Sequence, residues 1–201
     1  MFPNQAHERD AAVDMNLVRL FDQATAWTGS KIAAADDQRE ASTPCDEWTV
    51  ARLLDHLLHG QAIFAAGAAG EVVGPPSGDP PRLAGRDPAA QYEAARQATI
   101  ACYSQPGVLT GMVNTPFGPM PAAQFLGIAV CDQLIHGWDL ARGTSQDPTM
   151  PADLAAAAWQ MLGGRISDAN RGPGKNFKTA VPVPEDASFQ AKLLGYTGRQ
   201  P

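Results

Sequence analysis

The stretch Cys131-Asp132-Gln133-Leu134-Ile135-His136-Gly137-Trp138-Asp139-Leu140 decides how this chain is read. Residues four apart stand one above the other on a helix, so Asp132 and His136 share a face. At about 100° per residue, Phe125, Ala129, Asp132, His136 and Asp139 fall in one narrow arc. Ile128 and Ile135 flank the arc on one side and Leu140 on the other. A carboxylate and an imidazole centred in an apolar stripe require partners, because an unpaired buried polar group is costly. On its own such a pair is read first as a buried hydrogen bond that orders the helix. With a third donor from another element it becomes half of a cation site.

Outward from this helix the chain reads as helical throughout. The spacing of Leu17, Leu20, Phe21 and Ala24 predicts a first helix from about Asp14 to about Ala35. Thr49 is the N-cap expected for a second helix that ends near Gly70. A Gly- and Pro-rich loop follows, Gly74 to Arg86. Asp87-Pro88 supplies a cap and a first-turn proline for a third helix, ending near Ser104. Val108 to Phe117 predicts an extended strand or small hairpin. Pro121 opens the fourth helix, which ends near Gly143, and an Ala-rich fifth runs from Asp153 to about Leu162. From about 165 the pattern becomes irregular, with prolines extending Val181 to Pro184 and a last helical turn around 191–194. The expected fold is all-α, a four-helix bundle forming one domain over 1–201, with extra C-terminal helical elements.

Composition narrows the function classes. The 201 residues are 44% hydrophobic and carry a formal net charge of −6. An acidic chain without a Lys/Arg cluster is a poor ligand for nucleic acid. No run of about 18 apolar residues predicts a membrane span. The polar N-terminus lacks the core of a signal peptide, and Cys45, Cys102 and Cys131 are too scattered for a disulfide framework or thiolate site. A cytoplasmic location is expected. A homodimer stays open, since no exposed apolar stripe marks an interface.

The second helix offers the third donor. On its wheel His56 lies beside Leu53, Gly60 and Ile63, at the edge of the apolar face. His59 falls with Arg52 and Asp55 and is expected to face water. Gly60 is expected to leave open space beside the His56 ring. His56, Asp132 and His136 then form a two-histidine, one-carboxylate set. Such donors suit zinc first, and nickel or iron(II) as well. Three protein donors leave a coordination position open. Asp139 is positioned to orient His136. Arg142 is read first as a salt-bridging residue and second as an anchor for a substrate carboxylate.

Two motifs carry a family resemblance. Thr43-Pro44-Cys45-Asp46-Glu47-Trp48-Thr49-Val50 runs into Leu53-Leu54-Asp55-His56-Leu57. His136-Gly137-Trp138-Asp139-Leu140-Ala141-Arg142 follows, and the chain closes on Leu193-Leu194-Gly195-Tyr196-Thr197-Gly198-Arg199-Gln200-Pro201. Together they resemble the DinB-like superfamily, in the actinobacterial branch of the mycothiol-dependent maleylpyruvate isomerase metal-binding domain. The resemblance implies a four-helix bundle around one divalent metal, often zinc, whose ligands fall on His56, Asp132 and His136. It also implies a small thiol such as mycothiol and an electrophilic substrate. The isomerase carries Glu where this chain has the shorter Asp132, and has an additional C-terminal domain where this chain has a short tail. The expected function is a metal-dependent enzyme using a low-molecular-weight thiol in transfer or isomerisation. The alternatives are a non-catalytic metal-binding or ligand-sensing module and a metal-dependent hydrolase whose base would be Asp139 or Asp55.

Overall fold

Two side-chain caps set the frame of the bundle. Thr49 Oγ1 accepts from the Arg52 backbone N–H at 3.4 Å and opens α2, Val50–Ala68. Asp87 Oδ1 accepts from Ala90 N–H at 2.9 Å and opens α3, Pro88–Tyr103, with Pro88 in the first turn. Each satisfies a donor that the first helical turn leaves without an intrahelical partner. The computed structural model describes residues 4–45, 48–71 and 80–201, with side chains described from residue 16 onward. The loop expected at Gly74 to Arg86 therefore lies partly outside the described residues.

α1 spans Asn4–Ile32, beginning ten residues before the expected start at Asp14. Residues 4–13 lack an apolar stripe, but Gln5, Ala6, Glu8, Arg9, Ala11 and Ala12 are good helix formers and the segment holds neither Gly nor Pro, so propensity favours the helix there. Its C-terminal end also comes earlier than expected, giving way to a turn and a 3-10 segment at Asp36–Gln38. A two-stranded antiparallel hairpin follows α3: β1 at Met112–Thr115 and β2 at Gly118–Pro121, with Thr115 opposite Gly118. Gly118 sits at φ +99°, a conformation the tight turn needs and L-residues rarely adopt. α4 spans Ala122–Gly143, α5 Ala152–Leu162 and α6 Phe189–Tyr196, the last twice the length of the expected turn.

α1 packs most extensively on α4, and α2 on α3; α1 with α3 and α2 with α4 close the square. The order around the bundle is thus α1, α4, α2, α3, the helical bundle that the sequence resemblance leads one to expect. α5 and the hairpin lie against α4 as well. This helix is therefore covered almost all round, and buried residues occupy every turn of it. That differs from the single stripe expected on the wheel, because the wheel has no knowledge of α5 and the hairpin. α6 docks on α5, with Trp159 and Tyr196 edge to face at 5.7 Å. Val181 N–H bonds to Gly195 O at 2.8 Å and Arg171 Nη1 to Tyr196 O at 2.6 Å, so the C-terminal segment is fastened back onto the bundle. Among the described residues no helix is long and apolar enough to cross a membrane.

The close approach of α1 to α4 occurs at Gly137. A Cβ there would stand 2.5 Å from Thr28 Oγ1 and 2.8 Å from Trp27 Cζ3. Thr28 Oγ1 in turn donates to Gln133 O at 2.8 Å. Gly137→Ala is expected to lose about 1–3 kcal/mol of unfolding free energy through overpacking, despite the better helix propensity of Ala. Urea denaturation of the two proteins measures the difference.

Candidate metal centre

α2 and α4 are neighbours in the square, and this brings together side chains 76 residues apart. His56 Nε2 lies 3.3 Å from Asp132 Oδ1, and His136 Nε2 lies 3.6 Å from the same oxygen. One donor atom from each of His56, Asp132 and His136 falls within 4.8 Å of the others. The two imidazoles meet edge to face, with ring centroids 4.6 Å apart. The side chains are 26%, 24% and 13% exposed in the order His56, Asp132, His136. The cluster is thus recessed yet open to an incoming small molecule.

Trp48 forms a wall over both rings, 4.8 Å from His56 and stacked 5.9 Å from His136. Its loop is closed by backbone bonds from Thr43 N–H to Trp48 O and from Trp48 N–H to Cys45 O. Thr43 Oγ1 reinforces the turn by donating to Trp48 O at 2.9 Å. Asp46 and Glu47 of the same motif lie outside the described residues.

Behind His136 stands a fully buried carboxylate. Asp139 Oδ2 lies 2.9 Å from His136 Nδ1, and Arg199 grips Asp139 with two bonds, Nη2 to Oδ2 at 2.7 Å and Nε to Oδ1 at 3.1 Å. Burial would raise the pKa of Asp139, but the Arg199 guanidinium and the His136 hydrogen bond more than reverse this and hold it below the usual carboxylate range. An ionised Asp139 only accepts, so His136 Nδ1 is the donor and Nε2 keeps its lone pair. Burial, then the neighbouring His56, also push the pKa of His136 down, so the ring stands neutral. Asp132 likewise resists the upward push of burial, and the adjacent His56 holds it well below the ordinary carboxylate range.

Asp132 Oδ1 and His136 Nε2 therefore both aim lone pairs at one small space. This is a donor set that fits a cation. Donors about 2.0–2.1 Å from a tetrahedral ion stand about 3.3–3.4 Å apart, close to the spacings already present. A histidine whose other nitrogen is tied to a carboxylate is also the usual supporting arrangement for metal binding.

Other expected residues fall elsewhere. Arg142 is exposed and lies over the Trp138 ring at 5.6 Å. His59 is half-buried rather than fully turned to water, and burial, then His56, lower its pKa. The space expected beside Gly60 is filled: a Cβ there would meet Gln133 Nε2 at 3.1 Å and Asp132 Oδ2 at 3.7 Å. Asp55 Oδ1 accepts from Leu83 N–H and Ala84 N–H, both at 2.7 Å, and so fixes a loop. Cys131 is buried against Ala158 O, and burial first, then Asp132, push its thiol up to about 12. Cys45 reaches the far side of the site, within 4.8 Å of donor atoms of His136 and Asp139.

Arg199 and Gln133 were not among the residues singled out from sequence. Arg199 sits in a tail without periodicity. Gln133 gave a usable signal, as an amide within an otherwise apolar helical turn next to Asp132.

Comparison with known proteins bears on this arrangement. Residues 20–141 match the family model described as mycothiol maleylpyruvate isomerase N-terminal domain. Two uncharacterized proteins of Mycobacterium tuberculosis, from strains CDC 1551 and H37Rv, are each 31% identical over 167 residues, which is 81% of this chain and 86% of theirs. The crystal structure of the mycothiol-dependent maleylpyruvate isomerase superposes with a TM-score of 0.61 at 14% identity, over 87% of this chain and 78% of that one. At that identity it shows a shared fold.

Removing one partner of a buried ion pair costs about 3–5 kcal/mol. Arg199→Met is expected to lose stability on that scale at pH 7, and adding Asp139→Asn should restore part of it. The pH dependence has a defined sign. Asp139 has a folded pKa below its unfolded value, so its stabilisation is complete above about pH 4 and vanishes as pH falls through the lower folded value. Wild type should therefore lose more stability than Asp139→Asn between about pH 4 and pH 2, as read by denaturant midpoints across that range.

Proposed function

Since the chain belongs to the mycothiol maleylpyruvate isomerase N-terminal domain family, we propose that it binds one divalent cation through His56, Asp132 and His136 and uses it with a low-molecular-weight thiol of the mycothiol kind. The reaction class is thiol-dependent transfer or isomerisation on an electrophilic small molecule, in a reducing cytoplasm. The observation that carries the proposal is the convergence of three donor atoms within 4.8 Å from two neighbouring helices. Zinc is the first expectation for two neutral imidazoles and one carboxylate, with nickel and iron(II) sharing those preferences.

A bound divalent ion would supply a positive centre that stabilises a small thiol as its reactive thiolate. The donor side chains carry one negative charge between them, that of Asp132. The resulting excess of positive charge favours an anionic partner such as a thiolate. Asp139 and Arg199 hold His136 in the tautomer that presents Nε2. Trp48 covers one side of both imidazoles and limits the approach of water from there.

A non-catalytic module that binds a metal through the same residues is the second reading. It is favoured by the way the cluster bridges α2 and α4, which lets an ion brace the bundle. The hydrolase reading is weaker. It needs a free base near the centre, yet Asp139 is committed to Arg199 and His136, and Asp55 to the backbone of Leu83 and Ala84.

Elemental analysis of purified wild type should find about one divalent ion per chain, with loss of most of it in His56→Ala, Asp132→Ala and His136→Ala. Retention of full metal by all three variants would remove the assignment. Adding mycothiol to the cobalt(II)-loaded wild type should shift its visible spectrum. An unchanged spectrum with no turnover across a panel of electrophiles would leave the metal-brace reading in its place.

A further inference from the structure

We infer that Gln133 is a positioning residue that restricts Asp132 to presenting a single oxygen, keeping the centre a three-donor site; the inference rests on the metal reading above. The two oxygens of Asp132 have different surroundings. Oδ1 faces His56 Nε2 at 3.3 Å and His136 Nε2 at 3.6 Å. Oδ2 is turned away and accepts from Gln133 Nε2 at 3.0 Å.

The orientation of the Gln133 amide follows from its neighbours. An ionised carboxylate only accepts hydrogen bonds, so the NH2 group must face Asp132. The amide oxygen then points the other way, where two donors meet it: Tyr92 OH at 2.6 Å and Gln61 Nε2 at 3.1 Å. Gln133, Tyr92 and Gln61 are all fully buried. The backbone behind them is held as well, by Thr28 Oγ1 to Gln133 O at 2.8 Å and Thr99 Oγ1 to Gln61 O at 3.2 Å. Gly60 leaves room for this amide, since a Cβ there would come within 3.1 Å of Gln133 Nε2.

The network is complete at its Asp132 end and incomplete at the other. Gln61 Oε1 is buried without a hydrogen-bond partner among the described residues. A volume filled only for stability would be filled with apolar side chains, because a half-satisfied polar network is worse than an apolar core. The exception is instructive, since local rules are broken at functional sites. With Oδ2 engaged by Gln133, a grip by both oxygens on one ion is disfavoured. Two imidazoles and one oxygen remain as donors, and the remaining positions are left for an incoming ligand.

The test uses the full chain and cobalt(II), whose visible absorption reports coordination number. Wild type, Gln133→Met and Tyr92→Phe are titrated, with affinity measured by chelator competition and folding checked by circular dichroism. Gln133→Met should bind cobalt about 10–100-fold more weakly, with a weaker visible band as the freed Oδ2 swings in and coordination number rises. Tyr92→Phe should shift both readouts in the same direction by less, and it decides the matter if Gln133→Met does not fold. Folded variants with the wild-type affinity and spectrum would overturn the inference and leave the three-donor reading intact. A wild type that binds no cobalt, or binding that survives His56→Ala, would overturn both together.

Discussion

α4 is enclosed by α1, α2, α5 and the hairpin, so the polar side chains on its covered faces must find their partners within the protein. Burial of an amide, imidazole or carboxylate without a partner costs more than most single contacts return. The polar residues of one short segment, Asp132, Gln133, His136 and Asp139, answer this demand in different directions. Gln133 turns to Tyr92 and Gln61 on the neighbouring helices, Asp139 to the C-terminal Arg199, and Asp132 and His136 to each other and to His56. The last group is the one whose mutual arrangement calls for something further, since its lone pairs converge.

Charge explains why this arrangement holds together. Asp139 is balanced by Arg199, in a two-bond grip that resists sliding. Among the described residues, no guanidinium bonds to Asp132. Its neighbours are imidazoles, one of which is kept neutral by burial and by His56. Two carboxylates seven residues apart on one helix thus have opposite situations. One is electrostatically closed and serves as a support. The other, flanked by two imidazoles and partly exposed at the mouth of the site, stands where an exogenous cation can reach it.

Much of this was legible in the sequence, for physical reasons that differ by element. The caps at Thr49 and Asp87 follow from local chemistry, and both helices begin where those residues put them. The convergence of His56, Asp132 and His136 followed from spacing on two wheels, because a helix face is a local property. The extent of α1 was missed at both ends, where propensity and a terminal turn, not apolar pattern, set the boundary. Arg199 was missed because its partner is 60 residues away and is chosen by the docking of α6. Gly60 was misread: a missing side chain leaves room, but sequence does not say what fills it, and here an amide does.

The wall formed by Trp48 has an optical consequence. An indole in contact with two imidazoles emits according to their state, because a protonated ring quenches its fluorescence far more than a neutral one. Trp48 lies within 6 Å of both rings, whereas among the described residues Trp27, Trp138 and Trp159 make no ring contact with either histidine. The protein therefore contains its own reporter for events at the cluster, readable without a label and without altering any residue that forms it.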